Sequence, residues 1–270
     1  MRLGLISDIH ANLEALEAIL ADLDAAGVDR LVCLGDVVGY NTDAEACIAL
    51  VRERQPVWVA GNHDRGVTGQ LPESDFNSTA VRALAWTRAR LTAPALEALR
   101  TLPLKATAGS DLVAVHGALH PEVGCELVRL NNHERRRLSF AALQAHPSGA
   151  RVCAHGHTHQ IGVFEMRGGA LLDRTADEVT LRDDAHYIIS PGTVGEPRYA
   201  EQRATAMVFD TEKRTLVVRR AAYDRSRIWI KTRRAGLAPR YWFLPAGLRG
   251  AIRKTARAAR IHSTLKRLGV

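Results

Sequence analysis

The chain has 270 residues, 46% of them hydrophobic and 24% charged, with a formal net charge of +8. That is enough for a full core in one large domain, or a domain with an appendage, and the balance is ordinary for a soluble globular protein. No apolar run approaches a membrane span, Arg2–Ile6 is too short for a signal-peptide core and is stopped by Asp8, and the four cysteines form no CxxC pair; a cytoplasmic protein with reduced, buried thiols is expected.

In chain order, Arg2–Ser7 reads as an apolar strand. Asn12 can cap a helix whose apolar residues Leu13, Leu16, Ile19, Leu20 and Leu23 recur at helical spacing. Leu31–Leu34 reads as a buried strand, Asp43–Arg54 as a helix capped by Thr42, and Val57–Ala60 as a third strand. Such alternation favours parallel pairing, with functional loops at the carboxyl ends of the strands. Two or three helices fill 76–100 around Val81, Leu84, Trp86 and Leu91. From about 104 the chain is strand-rich, with apolar runs at 111–115, 151–154, 161–166, 170–172, 179–181, 186–189, 205–209 and 215–219, and one helix near 132–145.

Five short clusters of Asp, Asn and His interrupt these elements: Asp8-Ile9-His10, Gly35-Asp36, Gly61-Asn62-His63-Asp64, His116-Gly117 and Gly156-His157-Thr158-His159. Alone, an Asp-x-His is usually a solvated turn, and a lone histidine usually a satisfied core residue. Several clusters follow an apolar run, which puts them on loops at one edge of a sheet. An extended backbone would send Asp8 and His10 to the same side. Gly35 permits a sharp exit, and the Asp36 carboxylate has lone pairs for two cations. A shell of Asp and Asn oxygens with imidazole nitrogens, free of thiolate, suits Mn, Fe or Zn.

The ordered set DxH, GD, GNHD, HG and GHTH resembles the calcineurin-like metallophosphoesterases. Ser7–Leu13, Leu34–Tyr40, Ser190–Gly195 and Tyr223-Asp224 are similar to words of the compact prokaryotic phosphodiesterase branch, so the resemblance covers roughly residues 1–225. It implies an α/β fold of two packed mixed sheets flanked by helices, an αββα sandwich. It also implies a first metal held by Asp8, His10, Asp36 and His159, and a second by Asp36, Asn62, His116 and His157. Two such cations, about 3.5–4 Å apart, would activate a bridging hydroxide for in-line attack on phosphorus and clamp the phosphoryl oxygens. His63 would hydrogen-bond phosphate or protonate the leaving alkoxide. Asp64 would either orient His63 or cap the following helix.

Gly39 stands where protein Ser/Thr phosphatases of the superfamily carry an acid that pairs with the catalytic histidine, which favours small phosphodiesters or nucleotides. Gln160 follows the last ligand where relatives often have Arg, and His155 is extra; strand parity would keep it on the side of His157. Arg65, Arg198 and His120 are candidate substrate contacts, the arginines because a guanidinium fork suits phosphate. The expected activity is therefore a metal-dependent phosphodiesterase. Phosphomonoesterase, protein phosphatase, dinucleoside polyphosphate hydrolase and a non-catalytic scaffold of the same fold are the alternatives.

Residues 225–270 hold 13 of the 37 Lys and Arg and none of the 29 Asp and Glu, so the basic excess belongs to the last fifth of the chain. Trp229 and Tyr241-Trp242-Phe243 lie among these charges, and the last twenty residues can form a helix striped by Ile252, Ile261, Leu265 and Leu268. The expected division is a catalytic domain at 1–224 and a basic helical extension at 225–270. The extension would pack on the domain or contact nucleic acid or an anionic surface.

Overall fold

The computed structural model describes residues 1–237. Two six-stranded mixed sheets form its centre. The first comprises β1 (Arg2–Ile6), β2 (Arg30–Cys33), β3 (Val57–Trp58), β9 (Glu178–Thr180), β11 (Ala204–Asp210) and β12 (Thr215–Ala221), in the order β3-β2-β1-β11-β12-β9. The second comprises β4 (Lys105–Ala108), β5 (Leu112–Val115), β6 (Val152–Ala154), β7 (Ile161–Arg167), β8 (Ala170–Asp173) and β10 (His186–Pro191), in the order β4-β5-β6-β10-β7-β8. In each sheet three adjacent strands are parallel: β3, β2 and β1 in one, and β5, β6 and β10 in the other.

The helices are α1 (Leu13–Ala25), α2 (Ala44–Glu53), α3 (Asn62–Thr68), α4 (Ser78–Arg88), α5 (Ala93–Arg100), α6 (His133–Gln144) and α7 (Arg225–Arg234). Three apolar layers hold them. One, including Ile19, Ile48 and Leu99, joins α1, α2 and α5 to the first sheet. A second, including Leu5, Val32, Tyr187 and Phe209, lies between the sheets. The third, including Phe140, Leu143 and Ile188, seats α6 on the second sheet. This is the αββα order that the motifs imply.

Most elements fall where periodicity puts them. Asn12 caps α1 by accepting from the Ala15 amide (3.1 Å). α2 differs, because its cap is Asp43 rather than Thr42, and the Asp43 carboxylate bonds Lys231 Nζ (2.9 Å) instead of the helix amides. β4 alternates only by two alanines, Ala106 and Ala108, too small a signal to mark a strand, and it pairs with β5. All four cysteines are buried and free. No described helix is long and apolar enough to cross a membrane. Of the basic extension only α7 is described; the Tyr241–Phe243 cluster and the helix expected near the C-terminus lie outside the described residues.

Candidate metal centre

Every residue assigned as a ligand lies at the edge formed by the carboxyl ends of the parallel strands. Asp8 and His10 follow β1, Asp36 follows β2, Asn62 opens α3 after β3, His116 follows β5, and His157 and His159 follow β6. All seven are buried. Donor atoms within 4.8 Å of one another group Asp8, His10 and His159, then Asp36, His116 and His157, and between them His10, Asp36 and His63. Asn62 Oδ1 joins the second group, 3.1 Å from His116 Nε2.

Asp8 and His10 do not have the extended backbone that strand parity supposes. Both are left-handed, with φ of +54° and +49°, as are Asp36 (+55°), His157 (+61°) and His159 (+59°). Turns, not strand parity, aim these side chains, and the parity argument for His155 falls with it. Such non-glycine residues cost about 1–3 kcal/mol each and persist only where the surroundings over-determine them. The surroundings are neighbouring loops: Asp8 N donates to Gly35 O (3.1 Å) and His10 N to Asp36 O (2.9 Å). The Ser190–Gly195 word clamps the same turn. Thr193 Oγ1 and Gly195 N donate to Asp8 O, and Val194 N donates to Ser7 O. The loops after β2 and β3 touch backbone to backbone, since a Cβ on Gly61 would lie 2.3 Å from Asp36 N and one on Gly35 2.4 Å from Gly61 N.

The imidazoles are oriented from behind. Nδ1 of His10, His116 and His159 lies against the carbonyls of Val38 (3.2 Å), Leu34 (2.7 Å) and Glu196 (2.7 Å). Donation from Nδ1 leaves each Nε2 lone pair facing inward. There His10 Nε2 and His159 Nε2 are 3.3 Å apart, and His116 Nε2 lies 3.3 Å from Asp36 Oδ2. Asp8 Oδ2 accepts from Ser7 Oγ (2.8 Å) and His157 N (3.0 Å), while Oδ1 has no hydrogen-bond partner among the described residues. Acceptors that face acceptors in a buried space need positive charge between them. Burial raises the Asp8 and Asp36 carboxyls, but the imidazoles of His159 and His116 outweigh it and hold both well below the usual range. Burial likewise lowers His116, yet Asp36 pushes it up to about 9, so that without a metal a proton supplies the positive charge at Nε2 that a cation would otherwise bring. A donor set of two carboxylates, an amide and four imidazoles that shares Asp36 fits two borderline cations.

His63 lies on the first turn of α3, almost fully buried, with its amide donating to Asp36 Oδ1 (2.8 Å). Its ring sits 4.8 Å from His10 and 4.7 Å from Tyr40. Nδ1 has no hydrogen-bond partner among the described residues, and a Cβ on Gly39 would come within 2.3 Å of it. Burial pushes this imidazole down to about 3 against the pull of Asp36, so the ring is neutral near pH 7.

Asp64 makes no hydrogen bond to His63 among the described residues. Its oxygens accept from the amides of Asp36 (2.8 Å), Gly61 (2.9 Å), Val37 (3.0 Å) and Val38 (3.3 Å). It caps α3 and fixes the loop that carries Asp36; orienting His63 is not among its contacts. Asp64→Ala strands several buried amides and should destabilise the fold by about 3 kcal/mol or more in urea melts.

A cleft of about 240 Å³ opens beside the centre, lined by Tyr40, Asn62, His63, Phe76, Asn77, Arg129 and His157 among others. Arg129 is the residue that sequence reading misses: its Nε donates to His157 Nε2 (3.3 Å). It stands alone between Val128 and Leu130 with no motif to mark it. Arg198 is close by, its Nη2 3.4 Å from the Tyr40 hydroxyl. Arg65 is turned away into an ion pair with buried Glu126, and His120 is exposed and does not line the cleft. His155 is buried, with Nδ1 at the Gly156 carbonyl (2.9 Å), and Gln160 is exposed.

Residues 1–214 match the calcineurin-like phosphoesterase superfamily domain. An uncharacterized protein of Methanocaldococcus jannaschii is 32% identical over 226 residues, which are 82% of this chain and 88% of the relative. The crystal structure of a metallophosphoesterase from Sphaerobacter thermophilus superposes with a TM-score of 0.72 at 34% identity, covering 88% of this chain and 95% of that one. A hypothetical protein from Pyrococcus horikoshii shares the fold, with a TM-score of 0.69 at 16% identity over 88% of this chain and 94% of its own.

Proposed function

The chain belongs to the calcineurin-like phosphoesterase superfamily, and on that premise we propose that it is a two-metal phosphodiesterase acting on a nucleotide or another small diester. The observation that carries this reading is the pair of buried groups Asp8–His10–His159 and Asp36–His116–His157, with Asp36 Oδ2 lying 3.7 Å from His10 Nε2 in the first and 3.3 Å from His116 Nε2 in the second. Asp8, His10, Asp36 and His159 would hold one cation, and Asp36, Asn62, His116 and His157 the other. When bound, such a pair supplies Lewis acidity to phosphoryl oxygens and lowers the pKa of water at the site. His63 donates its N–H to a phosphoryl or leaving-group oxygen. Arg129 and Arg198 add guanidinium charge at the cleft mouth. Tyr40 and Phe76 give it an aromatic wall, and Asn77 an amide, which suits a nucleoside. Gly39 leaves His63 without a carboxylate partner, which favours a diester over the protein-phosphatase pattern.

Arg129→Ala removes one charged phosphate contact, so KM for the diester should rise about 10-fold or more with kcat less affected, in steady-state assays. The reading itself is tested by comparing bis-p-nitrophenyl phosphate with p-nitrophenyl phosphate, using stripped protein reloaded with Mn²⁺. Faster diester cleavage supports it and sends the search to cyclic and linear nucleotides. Preferential monoester cleavage transfers the assignment to a phosphatase. Turnover of neither substrate, with two metals bound, points to a scaffold.

A further inference from the structure

α7 lies beyond the residues that match the family domain, yet its side chains reach the turn that carries a metal ligand. Thr232 is almost fully buried, and its Oγ1 donates to Asn41 Oδ1 (2.9 Å). The Asn41 side-chain amide, Nδ2, donates in turn to the carbonyl oxygen of His10 (2.9 Å), as does the Asn41 backbone amide (3.2 Å). Next to it, Lys231 Nζ bonds Glu14 Oε1 (2.6 Å) and Asp43 Oδ2 (2.9 Å), and one turn earlier Arg227 Nε lies 3.2 Å from the same Glu14 oxygen. Glu14 is buried at the start of α1, and Asp43 caps α2. The helix is thus docked by compensating a buried carboxylate, and the docking presents Thr232 to Asn41.

We propose that Thr232 and Asn41 are positioning residues for His10, so that α7 belongs to the metal centre rather than to an independent tail. The proposal rests on the two-metal reading above. His10 and Ala11 are consecutive non-glycine residues in the left-handed region, with φ of +49° and +55°. That backbone is costly and keeps its shape only while its peptide groups are tied down. The Ala11 amide is held by Val37 O (2.8 Å), and the Ala11 carbonyl by the Asp43 amide (3.1 Å). Among the described residues the His10 carbonyl accepts only from Asn41, and since a carbonyl can only accept, it takes the nitrogen of the carboxamide. The Thr232 hydroxyl donates to Oδ1 on the other side and anchors the amide in that place. Without Thr232 the amide loses that anchor. The Gly39–Asn41 turn then loosens, and with it the carbonyl that sets the direction of the His10 ring. The turn also carries Tyr40, whose ring lies 4.7 Å from both His10 and His63.

The test uses the full chain, metal-stripped, with Thr232→Val as a near-isostere lacking the hydroxyl, Thr232→Ser as the conservative rescue, and Arg233→Ala as an exposed control on the same helix. Mn²⁺ titration calorimetry should show one of two equivalents binding about tenfold more weakly in Thr232→Val, the usual scale for losing an outer hydrogen bond to a metal-holding residue. Thr232→Ser and Arg233→Ala should bind like the wild type. In the metal-free proteins, amide exchange across residues 36–43 should be faster in Thr232→Val alone. Wild-type affinity and exchange in Thr232→Val would overturn the proposal. If the wild type itself takes up no Mn²⁺, the two-metal reading falls instead, and the exchange comparison still decides whether α7 holds the turn.

Discussion

Asp36→Asn should lose both metal equivalents and hydrolyse a diester at least about 10³-fold more slowly than the wild type. The expectation follows from the position of this carboxylate. It is the one group common to the two proposed ligand sets, its Oδ2 lies 3.3 Å from His116 Nε2 and 3.7 Å from His10 Nε2, and its Oδ1 accepts from the His63 amide. An amide keeps the shape but removes the charge and turns one oxygen into a donor that faces lone pairs. Metal assistance contributes several kcal/mol to such a reaction, and each 1.36 kcal/mol is a factor of ten. Metal analysis beside single-turnover hydrolysis checks both halves. Full activity with one equivalent bound would mean that Asp36 is not shared.

His63→Ala should separate chemistry from metal binding. Its ring is not needed for either four-donor set, so two equivalents should still bind, while kcat falls about 10²–10⁴-fold, the range for removing a positioned proton donor. The low position of its imidazole, pushed down to about 3 by burial, bears on how it acts. It enters the reaction neutral, as an N–H donor, and shifts toward the charged form only as anionic charge gathers beside it. A variant with lost metal and unchanged kcat at saturating Mn²⁺ would instead make His63 a ligand.

The ligands are legible in the chain because each sits in a short word at the end of a strand, and strand ends are where apolar runs stop. Asp8, Asp36, Asn62, His116 and His157 mark five loops, and parallel pairing brings those loops to one edge. What could not be read is whatever depends on distant partners. Asp64 is in a motif, but its function comes from the amides of Asp36, Val37 and Val38, which only the packed loops reveal. Arg129 reaches the cleft from a stretch without pattern. The left-handed turns at Asp8 and His10 look like extended strand ends in the sequence, because no glycine announces them. Thr232 and Asn41 are 191 residues apart, and neither residue type signals the contact.

The fold places acceptor against acceptor at the centre: the Nε2 atoms of His10 and His159, and Nε2 of His116 with Asn62 Oδ1. On the proposed reading, two cations that share Asp36 fill these spaces. Counting Mn²⁺ per chain in stripped, reloaded and desalted protein, with electron paramagnetic resonance of the same sample, tests this most directly. Two equivalents with the spectrum of a spin-coupled pair are expected. A single equivalent, or two that show no coupling, would contradict a centre built around a shared carboxylate.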